Sequence, residues 1–337
     1  MKLNSKHSLR LLVATSLCYL SWGFTPHKEL HAVAISGLPS PLFEFYKSHS
    51  SEIISRATDA DKRKHLIDGE GAKHYIDLDT FNEELCPISW DEACGKFTED
   101  TLLLRGTLPW TIEHVYNSLV YEMTRCGNTG DSAMSINKVI KLSADLGHYI
   151  GDAHVPLHTT SNYNGHLTDQ RGIHALWETH VYELTREEWD VTQIEAVYIQ
   201  HKRNWVFSII LESNSQVDEV LTQELLVRSD NKSPSTWGYR TRGRTLVLIP
   251  TEGFCRAYDK ALNYMVRDKF QKSSIAISSA WYSAWVDAGM PDLNSVAQER
   301  KAGIRIWWKT TINELGRDLS SLLQDLRELF EHDLSQN

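Results

Sequence analysis

Apolar positions recur every three or four residues through most of the chain, the period of a helix with one buried face. Residues 133–151 carry Met134, Val139, Ile140, Leu142, Leu146 and Ile150 at this spacing, and residues 196–227 continue it. The last long segment places Trp308, Ile312, Leu315, Leu319, Leu322, Leu326 and Leu329 on one stripe, stepping by four and three. Such a stripe serves a terminal helix packed on its own core, or alternatively a seam between two copies. Trp281 and Trp285 share a helical face that reads as core. Only residues 245–249 (TLVLI) look strand-like, and a short buried helix reads the same way. Residues 231–235 and 239–244 read as loops, and no repeat or low-complexity linker divides the chain. The expectation is an all-α protein with a single large multi-helix domain.

The first 21 residues break this pattern. Residues 1–10 are polar and carry Lys2, Lys6 and Arg10, and residues 11–20 (LLVATSLCYL) form one apolar run too short to span a bilayer. This is the layout of a secretory signal peptide. It predicts cleavage before Trp22, a mature domain over residues 22–337, and export to the periplasm or beyond. No later stretch is apolar enough for a transmembrane segment, and a soluble monomer is expected. With 337 residues, 41% hydrophobic and 23% charged, the chain can bury a large core. Its net charge is −9; losing the three cations of the acid-free signal takes this to −12. That balance excludes a general nucleic-acid-coating protein, although metal ions can reverse the charge locally. Export would leave Cys86, Cys94, Cys126 and Cys255 in an oxidising compartment, where disulfides and buried thiols are both open readings. No Cys-x-x-Cys pair points to cysteine-ligated zinc.

The chemistry is concentrated in histidines and acids. Residues 148–158 read HYIGDAHVPLH. His148 and Asp152 are four apart and share a helical face, while Pro156 forces His158 onto a helix end or turn. His174 and Glu178, in IHALWE, repeat the four-residue spacing. Imidazole and carboxylate pairs on facing helices are what a zinc site requires. One such pair would read as a surface ion pair; two, with His158 between them, read as a metal centre. His154 is open to a ligand role or to orienting a ligand. Upstream, Asp61 and Lys64 in DADKRK, His74 in AKHYID, and Trp22 and His27 in WGFTPH say little alone. A Trp22 exposed by cleavage would offer its amine and carbonyl as a chelate.

Together these segments resemble the zinc-dependent phospholipase C and single-strand-specific nuclease superfamily, the three-zinc phosphodiesterases. The resemblance runs from Trp22 to about Leu293. HYIGDAHVPLH resembles the family's His-x3-Asp-x5-His motif, IHALWE its His-x2-Trp-Asp/Glu motif, AKHYID the nuclease Leu-His-Phe-Ile-Asp segment, and WGFTPH the mature nuclease start. The resemblance implies that multi-helix fold and about three zinc ions. One zinc would take Asp61, His74, His148 and Asp152. A second would take Trp22, His27 and the shared Asp152. The third would take His158, His174 and Glu178. Asp59 is the alternative to Asp61. A shared carboxylate offsets repulsion between two close dications.

The activity implied is hydrolysis of a phosphodiester by a zinc-bound hydroxide, with Asp61 orienting the water and Lys64 touching the phosphate. Single-stranded nucleic acid is the leading substrate. Glu178 and the short interval from 158 to 174 are phospholipase-like, so phospholipid headgroup esters are the alternative, and a non-catalytic zinc-stabilised binding protein a third reading. Arg240, Arg242 and Arg244 form either a phosphate-binding or a solvated basic loop. Tyr149, Tyr163 and Trp177 could stack a base or line a lipid slot, though helix packing suits Trp177.

Overall fold

The computed structural model describes residues 24–81, 87–128, 132–191, 193–230, 232–242 and 245–296. The signal segment, Trp22, Cys86, Arg244 and the leucine stripe after residue 308 lie outside them. The described chain is mostly helical, with one antiparallel hairpin. Its helices are α1 (Phe24–Ser36), α2 (Leu42–Ser48), α3 (Ser50–Arg56), α4 (Asp59–Arg63), α5 (Trp90–Phe97), α6 (Glu99–Arg105), α7 (Leu108–Asn128) and α8 (Ser132–Ala153). They continue with α9 (Ile173–Ala175), α10 (Tyr182–Thr185), α11 (Lys202–Asn214), α12 (Val217–Ser229), α13 (Glu252–Ala261) and α14 (Met265–Asp287). No helix among the described residues is long and apolar enough to cross a membrane.

The long helices α7 and α8 pack against each other, and α14 lies against both and against α1. Helix α14 is buried on nearly all sides, which fits its sequence: Ile277, Ala280, Trp281 and Ala284 alternate with Ser274, Ser278, Ser279 and Ser283. Small side chains let neighbours approach from every direction, and hydroxyls find partners both within the helix and outside it. Ser273 and Ser274 donate to the carbonyls one turn back. The amides of Val197 and Ile199 donate to Ser279 and Ser283. These last bonds correct the helical reading of 196–227. Residues 196–201 run extended along α14, held by its serines, and helix begins only at Lys202 and is interrupted at Ser215–Gln216.

The second correction concerns the hairpin. β1 (Trp237–Arg242) pairs with β2 (Thr245–Pro250), so TLVLI is strand and most of 239–244 is not loop. The alternation Trp-Gly-Tyr-Arg-Thr-Arg is itself a period-two pattern, hidden by its Gly and Arg content. Trp281 is wholly buried, its Nε1 donating to the Ser143 carbonyl at 3.0 Å, and Trp285 is buried too, as core. Cys94, Cys126 and Cys255 are free thiols.

Helix α1 is brought onto α8 by two glycines. A Cβ at Gly147 would lie 2.4 Å from Nε2 of His31, and one at Gly151 would lie 3.1 Å from the His27 ring. Glycine at 147 lets α1 sit this close, glycine at 151 spares the His27 ring a tight contact, and the closeness carries His27 to Asp152.

Candidate metal centre

The site forms where α1, α4, the C-terminal turn of α8 and two short 3-10 turns converge. His27 is on the first turns of α1, and Asp61 is on α4. His74 ends the 3-10 turn Gly71–His74, and His148 and Asp152 are one turn apart on α8. Val155 is extended, and Pro156 opens the 3-10 turn Pro156–Thr159 that presents His158. His174 lies on α9, and Glu178 on the π-helical turn Leu176–Val181 that joins α9 to α10. A π turn inserts extra backbone into a helix and re-aims its side chains, a feature concentrated at functional sites.

Three groups of donor atoms result, each within 4.8 Å of one another: His27, His148 and Asp152; Asp61, His74 and His148; and His158, His174 and Glu178. Asp152 is the hub. One of its oxygens lies 2.9 Å from Nδ1 of His74 and 3.4 Å from Nε2 of His148, and the other lies 3.4 Å from Nε2 of His27. His27 Nε2 is also 3.5 Å from Glu178, so it faces two of the groups. Its ring stacks on that of His148 at 4.1 Å. His174 Nε2 lies 2.9 Å from Glu178.

Backbone carbonyls fix which nitrogens face inward. His148 Nδ1 donates to the Ala57 carbonyl at 2.8 Å, and His158 Nδ1 donates to the His74 carbonyl at 2.6 Å. In the neutral ring this leaves Nε2 a lone pair directed into the site. There it meets other nitrogens: His148 Nε2 is 3.1 Å from His74 Nδ1, and His158 Nε2 is 3.1 Å from His174 Nε2. Crowded imidazole lone pairs and carboxylates, with few donors among them, fit a metal ion as their common partner.

The electrostatics agree. Burial opposes the charge of Asp152, yet the imidazoles of His148, His158 and His74 hold its carboxyl well below the usual range. Glu178 is held low in the same way by His158, His174 and His27. Burial pushes His148 down to about 4. Against burial, Asp152 and Glu178 pull His158 up to about 9. Without a cation, protons on the imidazoles serve as counter-charge for the acids.

The choice between Asp59 and Asp61 has a geometric answer. Asp59 turns outward to Lys62 at 2.8 Å, whereas Asp61 lies 3.9 Å from both His74 and His148. Lys64 donates to Asp61 at 2.8 Å and lines a cavity of about 360 Å³ beside His74, His158 and His174. Tyr75, Asp77, Ser161 and Tyr163 line the same cavity. Burial, with Asp79 nearby, lifts the Asp77 carboxyl to about 6.

Other candidates fall elsewhere. Trp22 lies outside the described residues, so its ligand role has no geometry here. Tyr149 does not face the cavity. It is buried behind His74 and His148, and its hydroxyl donates to Glu70 at 2.7 Å. Trp177 is buried in the core. His154 joins none of the three groups, and its Nδ1 donates to the Ile150 carbonyl.

Sequence reasoning missed the brace behind the site. Arg63 donates to Glu70 and to Asp145, both at 3.0 Å, and ties α4 to α8. Lys73, Tyr149 and Arg63 hold the Glu70 carboxyl down at about 2 against burial. No motif announces this network, because its two halves, residues 63–73 and 145–149, are far apart in sequence. The spacing Gly147-x3-Gly151 was a readable sign of close helix approach. No family model matches the chain, and no curated protein is significantly similar to it.

Proposed function

We propose that the chain is an exported, zinc-dependent phosphodiester hydrolase of the phospholipase C and single-strand nuclease type, acting on single-stranded nucleic acid. The observation that carries this reading is the convergence of three adjoining His/carboxylate donor groups, two of which give histidines to the wall of one cavity, with a lysine at its side. His27, Asp61, His74, His148, Asp152, His158, His174 and Glu178 would hold the metal, with Trp22 completing the set after signal cleavage. Zinc bound there supplies Lewis acidity, which makes water nucleophilic at neutral pH and stabilises charge on phosphoryl oxygens.

The protein's own groups do the positioning. Asp61, held low by His148 and Lys64 against burial, stays ionised and accepts a hydrogen bond from the attacking water. Lys64, kept charged by Asp61, offers its remaining N–H donors to a phosphate oxygen. Tyr75 and Tyr163 give the cavity aromatic walls on which an unpaired base can stack, worth roughly 1–3 kcal/mol. A paired base cannot reach them, which favours single strands.

Glu178 and the short interval from 158 to 174 favour a second reading, phospholipid headgroup esters. The test is hydrolysis of single-stranded DNA, RNA and phosphatidylcholine by mature protein, with and without chelator. Chelator-sensitive cleavage of DNA or RNA is expected. Zinc-dependent lipid hydrolysis without nucleic-acid cleavage would reverse the substrate choice, and no zinc-dependent hydrolysis of any of them would refute the enzyme.

A further inference from the structure

Among the described residues, the β1–β2 hairpin has no part in the metal centre, and none of its residues lines the cavity beside the donor groups. Its register sorts its side chains. Tyr239 stands opposite Leu248, Thr241 opposite Leu246, and Trp237 opposite Pro250, so these residues share one face. Arg240 stands opposite Val247 on the other face. The apolar face is open: Trp237 is 48% exposed, Tyr239 73%, Leu246 62% and Leu248 54%. At the base, Pro250 is buried, and the Thr251 amide donates to the Thr236 carbonyl. The hairpin is therefore rooted in the fold at Pro250, while the rest of that face, from Trp237 and Leu248 outward, is bare.

Its charge is opposite to that of the chain. From 236 to 251 the sequence has Arg240, Arg242 and Arg244 and no acid, within a protein of net charge −9. Arg240 is exposed and has no ion-pair partner among the described residues.

We propose that this hairpin docks the protein on an anionic lipid surface. An element with Trp, Tyr and Leu on one face and arginine on the other suits the bilayer interface. The apolar face enters the headgroup–acyl boundary, the aromatic rings sit at headgroup level, and the cations meet lipid phosphates. Separation of the two faces sets lipid apart from single-stranded nucleic acid, which needs stacking rings and cations on the same side of the strand. The inference is independent of which phosphodiester the metal centre cleaves.

The test is co-sedimentation of the full mature chain with vesicles of equimolar phosphatidylglycerol and phosphatidylcholine, and with phosphatidylcholine alone, at low and high salt. We expect binding to the anionic vesicles that weakens with salt, and much weaker binding to the neutral ones. Arg240→Ala should lower anionic binding about fivefold. Tyr239→Ser combined with Leu248→Ser should lower it by roughly tenfold or more. Circular dichroism and metal content should match the parent in both variants. No vesicle binding, or binding that both variants leave unchanged, would overturn the proposal. So would hairpin-dependent dimerisation or hairpin-dependent binding of single-stranded DNA in a protein that ignores vesicles.

Discussion

Replacing Asp152 by Asn keeps the shape of the side chain and removes its charge. In the metal-free protein this takes the anion away from His27, whose own charge is favoured, against burial, by Glu178 and Asp152. The pair is 3.4 Å apart, and both groups are buried. At an effective dielectric of about 20, a unit pair at this distance is worth about 5 kcal/mol before desolvation. Removing one partner of a buried pair costs about 3–5 kcal/mol net. At roughly 2–4 °C per kcal/mol, the melting temperature of the metal-free protein should fall by roughly 10 °C. The metal-loaded protein should lose more, because the same carboxylate touches histidines of two donor groups while the His158, His174 and Glu178 group stands without it. Elemental analysis should therefore find about one zinc where the parent holds about three. The assay is a pair of melts, with and without chelator, beside metal quantification. A variant that keeps the parent's zinc content and turnover would refute the hub role of Asp152, whatever happens to its melting temperature.

His174→Ala and Glu178→Gln should each cost about one zinc and most of the activity while leaving the helical circular dichroism signal near the parent's, which separates them from Asp152→Asn. Asp61→Asn should depress activity at least tenfold and Asp59→Asn little, measured as kcat on the same oligonucleotide; equal effects would undo the assignment of Asp61. Gly147→Ala should destabilise by about 1–3 kcal/mol in a denaturant melt, because its methyl meets His31 and lifts α1 off α8. For pH, His158 is raised to about 9 in the metal-free protein, so its stabilising charge is fully present below about 6.5 and lost as pH rises through 9. Zinc must displace that proton, so zinc affinity should rise with pH up to about 9, and a flat profile by calorimetry would contradict the proton count.

The sequence made some elements legible and concealed others for physical reasons. Helix α8 could be read because one face of it is core and the pattern is local. Pro156 marked the end of helix before His158, and the turn is where it was expected. The helical partition of 196–227 failed because a tertiary contact decided it: the serines of α14 capture the amides of Val197 and Ile199, and no local pattern records that. TLVLI was strand-like in sequence, but β1 escaped because its outer face is bare, so its alternation carries no hydrophobic-in, polar-out signal. His148, Asp152, His158, His174 and Glu178 could be found by spacing alone, since each lies within a turn or two of another. Asp61 and His74 had no such partner, and their place beside His148 depends on the Arg63 brace, formed by groups too far apart to be seen as a pattern.

His27 sits on the first described helix, and its nearest carboxylates, Asp152 and Glu178, arrive only in the middle of the chain. At about 5–20 residues per second, synthesis takes on the order of 10 s to pass from one to the other. During that interval α1 has neither the glycine face of α8 to lie on nor acids to face. A cation that joins these segments closes a loop spanning nearly half the protein, and such long-range closures come late in folding. On the proposed reading, metal loading waits on these closures, and a chain cut short before Asp152 lacks the acid that both His27 and His74 face.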